Sequence, residues 1–178
     1  MDRTLLSLNG EWALYYAPEK GGKEETFRPD MLQAWPRVKA NVPGNCERAL
    51  VDAGVMGDPY WDEQQLDAAK YEYYQWIYET GFDAPAAQPG ARVFLRFDGI
   101  DTIADIYLNG AHLLRAENMF VEHEADVTNL LRETDNRLIV HIHSAMNYAR
   151  SREYPIGMRG TAHRNEICHI RKAAHSFG

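Results

Sequence analysis

Short runs in which every second residue is apolar set the tightest limit on what this chain can fold into. Trp12, Leu14 and Tyr16 alternate with Ala13 and Tyr15 in EWALYYA, and Trp76, Tyr78, Thr80 and Phe82 repeat the pattern in QWIYETGFD. Val93, Leu95 and Phe97 share one side of VFLRF. In NRLIVHIH, Leu138, Val140 and Ile142 face one way, and Ile139, His141 and His143 face the other. Successive side chains of an extended chain point to opposite sides, so each run lays one face on a core. ADIYLNGAHLL sets Asn109-Gly110 between two apolar runs. A two-residue hairpin turn needs positive φ at both central positions, which Asn and Gly tolerate, so a tight hairpin is predicted there. Helical signals are few. One helix is predicted over NCERALVDAG, with Asn45 as N-cap, Glu47 in the electropositive first turn and Gly54 as the stop. A second, short helical turn is expected from Asp126 through Leu131. The fold class that follows is all-β, a jelly-roll sandwich of two antiparallel sheets with one or two short helices. Its predicted core holds Trp12, Trp76, Phe97, Ile106, Leu108, Leu138 and Val140.

Length and charge remove several function classes. The 178 residues suffice for one good core and are short for two, so residues 1–178 are expected to form a single domain. A net charge of −7 argues against tracking a phosphate backbone, so no nucleic-acid partner is expected. No apolar run approaches the length of a membrane span, and no membrane partner is expected. MDRTLLSLNG lacks the apolar centre of a secretory signal, which favours the cytoplasm. Cys46 and Cys168 are too few for a disulfide framework and are expected to be two buried thiols.

Several stretches could carry chemistry. His141 and His143 share a strand face, a spacing that can hold a metal in cupin-like jelly rolls. Such a site also needs a nearby carboxylate, whereas Glu153 is ten residues past His143 and SAMNYARSRE between them reads as a loop. The two histidines are therefore expected to be partly exposed strand residues. His163 and Cys168-His169 lack a paired metal-ligand spacing. The acidic GDPYWDEQQLD lacks the alternating oxygen ligands of a calcium cage and reads as a solvated connection. Neither a metal nor any other cofactor is expected. The chain has ten Tyr and four Trp. Such rings suit sugar stacking, but in a sandwich most of them fill the core. There is no nucleophile elbow and no phosphate loop.

Four blocks in order carry a resemblance. SLNGEW is similar to the opening of the sugar-binding domain that begins glycoside hydrolase family 2 enzymes. VPGNCERALVDAGVMGDPYWDEQQLDAAKYEYYQWIYETGFD resembles the β-mannosidase branch of that family. FDGIDTIADIYLNGAHLLRAENMFVEHEADVTNLLRETDNRLIVHI is similar to its core pattern. IRKAAHSFG resembles the run R-K-x-x-x-x-F-G that the family follows with Trp-Asp-Trp. VPGN and AAH depart from the usual VPGT or VPGC and AQY, which leaves a β-mannosidase-like or a β-galactosidase-like parent open.

The resemblance implies a galactose-binding-like sandwich at the N-terminus of a larger retaining glycosidase. The chain would stop just before the tract that reaches the terminal sugar. The two catalytic glutamates would lie on a barrel outside residues 1–178, so the parent is expected to be an enzyme and this domain alone is not. Arg171, Lys172 and His175 precede the sugar-contacting tract and are the expected substrate-binding residues. Arg171 could instead anchor its loop through a carboxylate. Asn118 is expected to satisfy a turn, Met119-Phe120 to pin that loop to the core, and Asp101 and Asp105 to shape the sandwich. The implied partners are a β-mannoside or related β-glycoside and the parent's other domains. The alternatives are a free-standing carbohydrate-binding module and a structural or subunit-interface sandwich of a β-galactosidase-like enzyme.

Overall fold

The computed structural model describes residues 4–20, 24–61, 68–85 and 90–152. In chain order the elements are β1 (Gly10–Pro18), α1 (Met31–Ala34), β2 (Arg37–Val42), α2 (Cys46–Asp52), a 3-10 turn (Ala69–Tyr73), β3 (Tyr74–Phe82) and β4 (Phe94–Phe97). There follow β5 (Ala104–Leu108), β6 (Ala111–Ala116), β7 (His123–Asp126), β8 (Asn136–Ile142) and α3 (Ala145–Arg150). Six strands form one sheet in the order β2-β1-β3-β8-β5-β6, and β4 pairs with β7 in a second. Every pairing is antiparallel. The fold is the all-β sandwich expected from the alternation.

The inner face of the large sheet carries the predicted residues. Trp12, Leu14, Tyr16, Trp76, Tyr78, Ile106, Leu108, Leu138 and Val140 are buried in one cluster. Leu95, Phe97 and Ala125 of the small sheet pack against it, as do Ala49 and Leu50 of α2. Phe97 is half-buried rather than buried, because the small sheet covers the core with two strands only. Trp12 keeps its indole N–H satisfied by donating to the Leu8 carbonyl at 2.8 Å.

Local signals act as read. Asn45 accepts from the Arg48 backbone N–H at 2.7 Å, Glu47 lies in the first turn of α2, and Gly54 adopts φ +68° after its end. Replacing Asn45 with Ala is expected to cost about 1 kcal/mol, the usual worth of an N-cap, measured by chemical denaturation. Asn109 and Gly110 take φ of 53° and 87° and close the β5–β6 hairpin. Asn109 also accepts from the Arg137 N–H at 2.9 Å and donates to the Leu130 carbonyl at 2.8 Å, tying the turn to β8 and to the loop before it. A helical turn follows Asp126, with the Leu131 N–H donating to the Val127 carbonyl at 3.1 Å.

Three expectations are corrected. The stretch after His143 is not all loop: Ser144 accepts from the Asn147 N–H and caps α3. The histidines are not partly exposed, because the outer sheet face is also covered. Residues 24–35 cross it as a strap, and Phe27, Leu32 and Trp35 pack with Tyr15, Ile77, Tyr107 and Ile139. Phe120 does not pin its loop, since it is 72% exposed. The loop is held by polar contacts instead, as Asn118 accepts from the Phe120 N–H at 2.9 Å.

Candidate functional site

The described residues gather their buried polar groups where β8 ends. Both imidazoles of the HIH run lie under the strap, with ring centroids 4.3 Å apart. His143 Nδ1 is 2.8 Å from Glu19 Oε1, and its Nε2 is 3.0 Å from Asp105 Oδ2. The side chains of His143 and Glu19 are 1% and 0% exposed. Glu19 is brought there because the chain turns in at the end of β1, where its N–H donates to the Tyr73 carbonyl at 3.0 Å. Its second oxygen accepts from the Ser144 backbone N–H and from Asn147 Nδ2, each at 3.3 Å. Ser144 Oγ donates to the Glu72 carbonyl at 2.6 Å. The first turn of α3 is thereby fixed to both β1 and the 3-10 turn.

Asp105 links this cluster to the surface. Its Oδ1 lies 2.8 Å from His112 Nε2, and its Oδ2 accepts from Arg115 at 3.0 Å. Arg115 pairs in turn with Glu24 and Glu117, each at 2.8 Å. Burial alone would raise the Asp105 carboxyl, but the hydrogen bonds from His112 and His143 and the Arg115 charge outweigh it and hold it below its usual value. Burial alone would lower the Arg115 guanidinium, but its hydrogen bonds to Glu117 and Glu24 and the charges of Glu24 and Asp105 outweigh it and raise it further. His141 is different. Burial, helped by the neighbouring His143, pushes it down to about 3 and keeps it neutral. Its Nε2 meets Gln75 Oε1 at 2.8 Å, while His141 Nδ1 and Gln75 Nε2 have no hydrogen-bond partner among the described residues. Asp105 thus ties β5 to His112 and Arg115 of β6 and to His143 after β8.

What this arrangement can do is mechanical. Its carboxylates face imidazole and guanidinium groups inside the protein rather than an open cleft, and among the described residues no group of three His, Cys, Asp or Glu can hold a metal. The chain that leaves this anchor through α3 runs on to Arg171, Lys172 and His175. Those three lie outside the described residues, as do His163, Cys168, His169 and Glu153. Cys46 is half-buried rather than buried, with Sγ 3.2 Å from Glu47 Oε2.

A second feature is an open depression of about 610 Å³ on the outer face of β2, β1 and β3. Ala13 and Gly81 leave its floor low, and Glu11, Tyr15, Arg37, Lys39 and Glu79 line it. Of its charges, Lys39 pairs with Glu11 at 2.9 Å, and Glu79 pairs with Arg137 of β8. The aromatic residues follow the bland expectation. Tyr16, Tyr71, Tyr74 and Trp76 cluster with centroids 4.9 to 6.4 Å apart at the core. Tyr60 and Trp61 of the acidic connection are exposed.

Sequence reasoning passed over Glu19, Gln75, Ser144 and Asn147. Ser144 had a usable signal, a capping residue three positions before an amide and six before Arg150. Glu19 had none, because its partner is 124 residues away.

The family model described as glycosyl hydrolase 2 galactose-binding domain-like matches residues 18–178. The chain belongs to this family. The matched span of the galactose-binding-like domain contains Glu19, Asp105 and His143, and the SLNGEW block lies before it. β-Mannosidase B of Aspergillus terreus is 39% identical over 119 residues, 66% of this chain and 14% of that protein. The β-mannosidase of Mus musculus is 32% identical over 153 residues, 79% of this chain and 17% of that protein. Among solved structures, β-D-mannosidase from Dictyoglomus thermophilum superimposes with a TM-score of 0.76 at 32% identity, covering 97% of this chain and 20% of that one. The galactose-binding-like domain thus spans under a fifth of the length of these curated relatives.

Proposed function

We propose that this domain is the non-catalytic N-terminal domain of a retaining exo-β-glycosidase of the β-mannosidase kind, and that it walls one side of the pocket for the non-reducing sugar. One observation carries the reading: the likeness to the Dictyoglomus thermophilum β-D-mannosidase takes in 97% of this chain at 32% identity and only 20% of that enzyme. Retaining hydrolysis needs two carboxylates about 5–5.5 Å apart across an accessible sugar. The buried carboxylate Glu19 and the largely buried Asp105 are instead both committed to His143. The catalytic pair is therefore assigned to other domains of the parent. Arg171, Lys172 and His175 are the proposed sugar contacts, since cationic and imidazole donors suit hydroxyl oxygens. A rigid wall on one side orients the ring and keeps water from the reacting centre.

Residues 1–178 alone are expected to show no turnover of aryl β-mannosides or β-galactosides. Monosaccharide binding should be weaker than about millimolar, which is about −4 kcal/mol. The check is a panel of aryl glycosides run on this chain and on the intact parent, with calorimetric titration of the same sugars. Turnover by residues 1–178 would overturn the proposal, and micromolar sugar binding would favour a free-standing binding module.

A further inference from the structure

We propose that His143 is held as an imidazolium between Glu19 and Asp105, and that this buried triad is a pH-operated latch fixing α3 to the sheet while the ring is charged. The geometry requires two donors. Both ring nitrogens point at carboxylate oxygens, at 2.8 and 3.0 Å. A neutral imidazole has one N–H, so between two ionised carboxylates it would set a bare lone pair against one of those oxygens, and the side chains of His143 and Glu19 are 1% and 0% exposed. With both carboxylates ionised, only the doubly protonated ring satisfies both contacts, and the two carboxylates supply its counter-charge.

Every element packed against the ring agrees with a single cation there. The segment after β1 offers Glu19, and β5 offers Asp105. From β6, Arg115 and His112 act through Asp105, and Glu24 of the strap acts through Arg115. On β8 the neighbour is His141, which stays neutral and adds no competing charge. Helix α3 presents the uncharged Asn147 to Glu19. Burial by itself would lower the His143 value, yet the hydrogen bonds to Glu19 and Asp105 and the charges of Glu19 and Glu24 win and raise it. The sign follows. A raised folded value means the stabilisation is fully present below the unfolded value of about 6.5 and is lost as pH climbs through the folded one. Asp105, held low, sets the opposite limit: its contribution is present above the ordinary Asp value of about 3.9 and is lost as pH falls through the lower folded one.

Release has a defined route. When the ring loses its proton, Glu19 becomes a fully buried charge without its counter-ion, and hydration draws it outward. Its second oxygen then leaves the Ser144 N–H and Asn147 Nδ2, the contacts that tie the first turn of α3 to the end of β1. The inference rests on these contacts and not on the proposed glycosidase role.

The test is nitrogen-detected side-chain NMR of the 178-residue chain across pH, with amide hydrogen exchange of α3 on the same samples. Both nitrogens of His143 should be protonated at pH 7 and titrate above the ordinary histidine value of about 6.5. The Tyr148 and Ser151 amides, bonded to Ser144 and Asn147 at 3.0 Å, should lose about tenfold or more of their protection across that titration, after correction for intrinsic exchange. Glu19→Gln keeps an acceptor for α3 but removes the charge, and should move the His143 titration to lower pH. A neutral His143 at pH 7 overturns the proposal, including one whose proton resides on Glu19. So does α3 protection that is indifferent to the titration. If the variant fails to fold, the two measurements on the unsubstituted chain still decide.

Discussion

Replacing Glu19 with alanine is expected to destabilise the fold by about 3–5 kcal/mol, the range for stripping one partner from a buried ion pair. The side chain is 0% exposed and serves three donors: His143 Nδ1, the Ser144 N–H and Asn147 Nδ2. Alanine leaves all three without their acceptor. Denaturant titration should show a lower midpoint at unchanged slope, since the surface exposed on unfolding is the same. Glu117→Ala is the control. It removes a half-exposed partner of Arg115, and exposed pairs contribute about 0–1 kcal/mol. A Glu19→Ala cost no larger than the control's would mean that the cluster is not the anchor of α3.

Leu108→Ala should cost about 2–5 kcal/mol through lost burial and the void left behind. Leu108 is fully buried on β5, opposite Leu138 of β8, with its hydrogen-bonded neighbours fixed on both sides of the strand. Strands held on both flanks move little, so the void cannot collapse and the upper half of the range is expected. Phe120→Ala, at a residue 72% exposed, should stay within about 0.5 kcal/mol. Equal costs at the two positions would refute the assignment of inward faces from period-two alternation.

The inner face was legible because alternation reports which side of a strand avoids water. Trp12, Trp76, Ile106, Leu108, Leu138 and Val140 all lie where that pattern puts them. The outer face was not legible. Its cover, the strap across residues 24–35, has no period of its own, and Phe27, Leu32 and Trp35 are too widely spaced to signal an amphipathic element. Without the strap, His141 and His143 read as half-exposed; with it, they are among the most buried polar residues. The same blindness hid the anchor. Asp105 and His143 sit on recognisable strands, but their pairing depends on β5 lying beside β8, which no local pattern states. Edge strand β2 was passed over because Val38, Ala40 and Val42 make a weaker alternation than the aromatic runs do.

The position of β8 bears on how the chain is made. Last of the described strands to leave the ribosome, it lies between β3 and β5 and is the piece through which β2-β1-β3 and β5-β6 become one sheet. Until residues 136–142 emerge, the described strands of the large sheet stand as two separate ribbons, and the facing sides of β3 and β5 stay open to any passing strand. Final assembly then waits on pairings far apart in sequence, such as Trp76 with Ile142, which slows folding and lengthens exposure to aggregation. Chains stopped before Asn136 should therefore be insoluble ribbons, while those reaching Ile142 can close the sheet.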